Sequence, residues 1–400
     1  MAKENRWVIV VAALLVQLCL GAIYSWSVFV TPLKTAFKYS TTQTQIIFSV
    51  ALASFALVMI FAGRWQDRAG PRKVATVGGV LLGLGYILAG FTGGNFILMT
   101  LTIGLIGGAG IGFGYVCPIA CGVKWFPDKR GLVTGLAVAG FGAGAWLFQQ
   151  VASSLIASVG LLTTFQYLGA VFLVAVVIGA QLLKNPPEGY VPEGWKPPVK
   201  TAAAKAKADY SWNDMVKTRQ FWMLWLMFVA GASAGLMVIG ILKPFGIFAG
   251  LSAASAGTAV GILALFNGAG RITWGVLSDK LGRNKAMAAM FTLQGAMMLF
   301  LMNMGGAELK LTIAAAWVGF NFGGNFALFP SATADYYGTK NLGVNYGFVF
   351  TSYGVAGIIG PLLGGMVFDA TGKYTWAFIP AGVACLIAAG IALMTKSPQE

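Results

Sequence analysis

The strongest constraint in this chain is a run length. Apolar stretches recur along the whole sequence at the roughly 20 residues that a helix needs to cross a hydrocarbon core about 30 Å thick. Inside lipid every backbone N–H and C=O has to be paired within the protein, so runs of this length are helices. Twelve can be read, at 7–30, 46–61, 74–92, 96–123, 132–159, 164–183, 221–248, 257–276, 286–303, 311–329, 343–368 and 374–394. The first exceeds the apolar core of a signal peptide and is expected to stay as an uncleaved span. Short connections such as Thr92-Gly93-Gly94-Asn95 force antiparallel neighbours. The expected fold class is therefore all-α, a polytopic membrane protein of twelve transmembrane helices. Charged residues make up only 10% of the chain, whereas soluble domains carry about 25%.

The stretch from Lys184 to Lys217 breaks the pattern. It is rich in Pro, Lys and Ala, admits no span, and reads as a linker with one short surface helix expected at Lys200–Asp209. It divides the chain into a six-helix half (1–184), a cytoplasmic linker (185–217) and a second six-helix half (218–400). The halves repeat. Gly63–Lys73 aligns with Gly275–Lys285, placing Asp279 212 residues after Asp67 (279 − 67). Pro32 and Pro244, Pro118 and Pro330, Gly135 and Gly347, and Gly142 and Gly354 keep the same offset. A constant offset over several helices indicates a parallel duplication, which places a substrate near midplane between the halves.

Basic residues set the orientation. Arg64, Arg68, Arg72, Lys73, Lys124, Lys129, Arg130, Lys280, Arg283, Lys285 and Lys340 share the side of both termini and the linker. Only Lys34, Lys38, Lys243, Lys310 and Lys373 fall opposite. By the positive-inside rule both termini are cytoplasmic, in a multi-pass protein of the inner (plasma) membrane. The net charge of +15 then faces anionic headgroups, and no nucleic-acid partner is expected.

One arginine sits inside the apolar part of a span. Arg271 lies in the eighth run, eight residues before Asp279, or about 12 Å inside the membrane edge. A charge at that depth costs at least ~2.5 kcal/mol and normally meets a partner or an anionic substrate. The alternative is a structural arginine bonded to backbone carbonyls. Asn267, one turn earlier, shares its helix face. Tyr115, Asn321, Phe322, Asn325, Phe326, Phe350 and Tyr353 fall inside spans and are candidates to line the same cavity, against the alternative of ordinary helix packing.

The loops Gly63–Lys73 and Gly275–Lys285 resemble the signature loop of the major facilitator superfamily. Asp67, Arg68, Asp279 and Lys280 are read as its gating residues, not as substrate ligands. The segment Lys124–Gly140 and the residues Asn5-Arg6-Trp7 and Tyr24-Ser25-Trp26-Ser27 are similar to the bacterial monocarboxylate (lactate-type) transporters and to the oxalate–formate exchanger. That resemblance implies that Arg271 holds the substrate carboxylate. It also implies that Asn267 stands where many members carry a proton-bearing aspartate. Tyr24 stands where animal members carry a lysine, and Tyr353 where the exchanger has a second cation.

None of the twelve carboxylates falls mid-span, and there is no histidine. Asp335 and Asp369, near helix ends, are the least remote acids. The four cysteines lie in apolar runs without disulfide or metal spacing, so neither metal nor cofactor is expected. One in-membrane cation matches one carboxylate. The sequence thus points to a monomeric secondary transporter of small monocarboxylates such as L-lactate or pyruvate, and the resemblance implies proton-coupled symport. The alternatives are an oxalate/formate-type anion exchanger and a non-transporting carboxylate sensor. An enzyme is excluded by the lack of clustered acids, histidine or a nucleophile–base pair.

Overall fold

A computed structural model of the chain describes residues 6–126, 130–187, 190–192, 209–338 and 341–398. Twelve long helices run through it. Helix α1 is built of Trp7–Gly21, a tight 3-10 turn at Ala22–Ser25, and Ser27–Phe37. Helices α2 (Thr41–Ala69) and α3 (Pro71–Ala89) follow. Helix α4 joins Phe96–Met99, a π-helical stretch Thr100–Gly107, and Gly108–Trp125. Helices α5 (Arg130–Val159) and α6 (Leu161–Leu182) complete the first six. The last six are α7 (Arg219–Phe248), α8 (Ala253–Leu281), α9 (Arg283–Phe300), α10 (Glu308–Tyr337), α11 (Leu342–Thr371) and α12 (Thr375–Met394). Eleven of these are long and apolar enough, over their described residues, to cross a membrane. Helix α5, with 30 residues, is long enough to be the twelfth.

The helices outrun the apolar stretches that reveal them. Helix α2 begins five residues before its apolar run, because the Ser40 side chain accepts from the Gln43 N–H while Gln43 returns a bond to the Ser40 N–H. This capping box satisfies two first-turn donors. Helix α8 starts the same way, with the Ser252 side chain accepting from the Ser255 N–H. Both helices stop at a glycine with positive φ, Gly70 at 85° and Gly282 at 84°. The next helix starts at once, so the chain reverses in a single residue that a side chain would strain.

The duplication read from sequence is thus visible in the backbone. Starts of α7, α8, α9, α10 and α11 each fall 212 residues after those of α1, α2, α3, α4 and α5. Between the sets, most of the expected linker, including the helix expected at Lys200–Asp209, lies outside the described residues. So does the Pro127–Lys129 turn. What is described near the linker's end is a short helix, Trp212–Met215, capped by Ser211.

Helices α8 and α10, α3 and α6, α9 and α12, and α7 and α11 pack most extensively, while α2 with α11 and α5 with α8 join the first six to the last six. Outward faces carry Phe61, Phe91, Val174, Phe300 and Leu393, all well exposed. This is the reverse of a soluble surface and suits contact with lipid.

Candidate substrate site

Helix α8 brings Arg271 to the interior through unusually close packing against α10. A Cβ on Gly323 of α10 would sit 2.1 Å from the carbonyl oxygen of Asn267 and 3.2 Å from the backbone nitrogen of Arg271. Only glycine allows that approach, and small residues at helix contacts are how helices pack closely in lipid. On the other side, helix α1 loses regular helical form at Ala22–Ser25, the turn that carries Tyr24. Broken helices near midplane are where transporters of this architecture expose polar groups.

Arg271 is buried, with 7% of its surface exposed. Its Nε donates to Asn267 Oδ1 at 2.9 Å, so the i, i+4 relation read from sequence is realised as a bond. The Phe326 ring covers the guanidinium, 4.2 Å from Cζ to the centroid, in cation–π contact. Neither Arg271 Nη1 nor Asn267 Nδ2 has an acceptor among the described residues. Among the described residues no carboxylate lies within ion-pair distance of Arg271. Two sets of buried donors, one cationic, therefore converge without an anion, a costly arrangement for a purely structural residue.

Around this pair lies an aromatic cluster. Tyr24 and Tyr353 share a hydrogen bond of 2.7 Å between their hydroxyls, tying α1 to α11 across the two sets of helices. Tyr24 also meets Phe322 at 5.8 Å, and Phe322 meets Phe326 at 5.2 Å. Tyr353 stacks on Phe350 at 4.8 Å and touches Phe326 at 5.6 Å. Tyr115 joins through Phe55 at 5.1 Å. Of the substrate-site candidates from the sequence, Arg271, Asn267, Tyr24, Tyr115, Phe322, Phe326, Phe350 and Tyr353 thus fall in one cluster. Four members were not picked out, among them Phe228, which touches Phe326, Phe350 and Tyr353. Phe55 bridges Tyr115 to Tyr353, Phe141 packs on Tyr24 and Tyr115, and Tyr346 lies on Phe350. The repeat held the signal for two of them: subtracting 212 turns Tyr353 into Phe141 and Asn267 into Phe55.

The loop residues read as gates lie apart from this cluster. Asp279 is 66% exposed and pairs with Arg283 at 2.6 Å, and Arg283 also holds Asp335 of α10 at 2.9 Å. Arg68 and Lys280 are exposed, and the side chain of Asp67 lies outside the described residues. Asp335 is therefore held in a helix-end network. Asp369 is too, at the opposite end. Its carboxylate accepts the backbone N–H groups of Thr41 at 3.1 Å and Thr42 at 2.8 Å, the first residues of α2. A helix N-terminus favours such a negative charge. Here the carboxylate comes from α11, so this contact ties the first six helices to the last six on the side away from the termini. The Gln45 side chain, donating to the Gly240 carbonyl at 3.2 Å, adds a second tie nearby.

A family model described as Major Facilitator Superfamily matches residues 11–359 and 232–400. The uncharacterized MFS-type transporter YhjX of Escherichia coli (strain K12) is 33% identical over 361 residues, 89% of this chain and 87% of its own. The oxalate:formate antiporter of Oxalobacter formigenes is 31% identical over 392 residues, 97% and 91% of the two chains. Apicoplast pyruvate carrier 1 of Toxoplasma gondii is 25% identical, covering 88% of this chain and 82% of its own. In fold, the chain is similar to a bacterial homologue of the human lysosomal transporter Spinster, in an inward-facing and occupied conformation. The TM-score is 0.73 at 16% identity, over 98% of this chain and 97% of that one. The family model runs from the first helix to the last, and this chain, a transporter and not an enzyme, belongs to the Major Facilitator Superfamily.

Proposed function

We propose that this protein is a secondary active transporter of small monocarboxylates, with L-lactate and pyruvate as its substrates, working by proton-coupled alternating access. The observation that carries the reading is the pair of unsatisfied donors, Arg271 Nη1 and Asn267 Nδ2, buried side by side with no carboxylate within ion-pair distance among the described residues. A substrate carboxylate supplies the missing acceptors in a two-pronged contact. Phe322, Phe326 and Phe350 form the apolar wall that suits a short alkyl group, and the Tyr24–Tyr353 bond closes the site. The 1–184 and 218–400 halves rock about it, with both termini cytoplasmic and the two signature loops, Asp67–Arg68 and Asp279–Lys280, as gates. A single chain suffices.

One cation favours one negative charge, because a dicarboxylate brings a second, uncompensated charge into a low-dielectric cavity. Coupling to a proton follows from energetics. Moving a bare anion inward against the membrane potential costs about 2.3 kcal/mol per 100 mV, and one proton cancels it. Anion exchange is the second reading, favoured by the 31% identity to a protein named as an oxalate:formate antiporter. Uptake of radiolabelled lactate into proteoliposomes, with and without an acid-outside gradient, tests the first. Accumulation driven by the gradient is expected. Lactate movement only in exchange for internal formate or oxalate makes exchange the better reading.

A further inference from the structure

A second cation is buried far from Arg271. Lys243, near the end of α7, is 9% exposed, and its ammonium reaches one partner among the described residues, the Ser153 hydroxyl at 3.4 Å. No carboxylate pairs with it among those residues. It lines a cleft of about 460 Å³ between α1, α5, α7 and α8. That volume lies within the range of small-molecule sites, roughly 300–1,000 Å³. Gln149 and Ser153 of α5 and Thr31 of α1 face Lys243 across the cleft. The Gln149 side-chain oxygen is buried with no hydrogen-bond donor, so its amide is not locked in place. The floor is the first turn of α8, Ala253 and Ala254. Backbone N–H groups at a helix start have no partner within the helix and make its positive end. The carboxylate of Glu308, which accepts from Ser255, does not line the cleft.

The cleft therefore offers an anion several donors: an ammonium with donors to spare, a helix N-terminus, the Thr31 and Ser153 hydroxyls and the N–H groups of the Gln149 amide. From Ala254 to Arg271 the helix advances 17 residues, about 25 Å, so this is not the central site. It lies on the side away from the termini, and its lining comes from both sets of six helices.

We propose that the cleft is a second anion site, an outer subsite in which Lys243 and the start of α8 hold a small carboxylate on its way to or from Arg271. The inference rests on the monocarboxylate reading for its ligand, but not on the role of Arg271. Its first test is a sided kinetic one. In oriented proteoliposomes, Lys243→Gln raises the lactate KM about tenfold or more from the far side, as loss of one charge-assisted contact implies. The KM from the terminal side stays unchanged, and because the overall equilibrium is fixed by the gradients, kcat from that side falls by the same factor. Lys243→Arg, which keeps the charge, stays within about threefold of the parent. An equal rise from both sides, or none from either, overturns the proposal.

The second test separates the two sites. Saturation-transfer NMR with lactate is expected to detect binding to Arg271→Gln, and adding Lys243→Gln is expected to abolish it. Lactate binding that survives both substitutions refutes the outer site. Displacement of that lactate by equimolar chloride shows a site for inorganic halide and overturns the carboxylate assignment. Failure of the central reading would appear differently, as lactate transport by Arg271→Gln at the parent rate.

Discussion

Replacing Arg271 by Gln separates a ligand-binding arginine from a structural one, because the two roles predict opposite changes in stability. Arg271 spends one donor on Asn267 and leaves Nη1 without an acceptor among the described residues, in a site with 7% exposure. A structural arginine would have its donors paired, and breaking a buried pair costs about 3–5 kcal/mol. Here no carboxylate is left behind, and a buried charge is removed. The folded protein loses the Asn267 bond and the Phe326 contact but sheds an unpaired buried charge, so its melting temperature in detergent should stay level or rise. Substrate, in contrast, loses a buried charge-assisted contact worth about 2–5 kcal/mol, or roughly 30-fold to several thousand-fold in affinity. Arg271→Lys should fall between, since an ammonium does not give the two-pronged contact of a guanidinium. The assay is lactate binding and uptake with reconstituted protein, run beside thermal unfolding of the same preparations. A melting temperature several degrees lower with lactate affinity intact would refute the reasoning and return Arg271 to a structural role.

Gly323→Ala places a Cβ 2.1 Å from the Asn267 carbonyl oxygen and must push α10 from α8. Overpacking of this kind costs about 1–3 kcal/mol, so uptake should be lost, whereas Gly306→Ala, with nothing within 4 Å, should transport normally. Asp369→Asn weakens the tie to Thr41 and Thr42 by about 1 kcal/mol, the upper end for an exposed charge at a helix start. Spin labels on the far ends of α2 and α11 should then report a larger separated population, and an unchanged distance distribution counts against the tie as a closure. Proton-driven lactate accumulation should survive Asp335→Asn and Asp369→Asn separately, because both acids are held at helix ends, outside the cluster around Arg271; loss of coupling with exchange spared assigns the proton to that side chain. Oxalate should compete poorly with lactate in the parent and better in Tyr353→Lys, which adds a cation inside the cluster. Strong oxalate inhibition of the parent refutes the one-cation argument.

The outer cleft and the Asp369 tie belong to the same end of the molecule. Asp369 and Gln45 join α11 and α7 to α2, while Lys243 and Ser153 join α7 to α5. Polar groups on that side thus do two things: some hold the two sets of helices together, and one cation, Lys243, is held between them with no carboxylate partner among the described residues. An anion held at Lys243 would sit between α5 and α8, one of the two seams along which the sets meet.

Much of this was legible in the sequence because bilayer physics leaves a chain few choices. Run length dictated helices, and the offset of 212 dictated a duplication that the caps at Ser40 and Ser252 and the reversals at Gly70 and Gly282 repeat in the backbone. Arg271 stood out because a charge inside an apolar run is costly, and Asn267 followed from helical spacing alone. Helix limits were less legible, since apolarity marks the stretch inside lipid whereas capping and turn geometry mark where the helix ends. The contacts between distant helices were not legible at all. Nothing local to Tyr24 says that its hydroxyl meets Tyr353, 329 residues later, or that Asp369 caps a helix it does not belong to. Lys243 looks in sequence like an ordinary basic residue at a span end. Only the packing of α1, α5, α7 and α8 buries it beside a cleft, because burial belongs to the assembled helices and periodicity reports only the face of one.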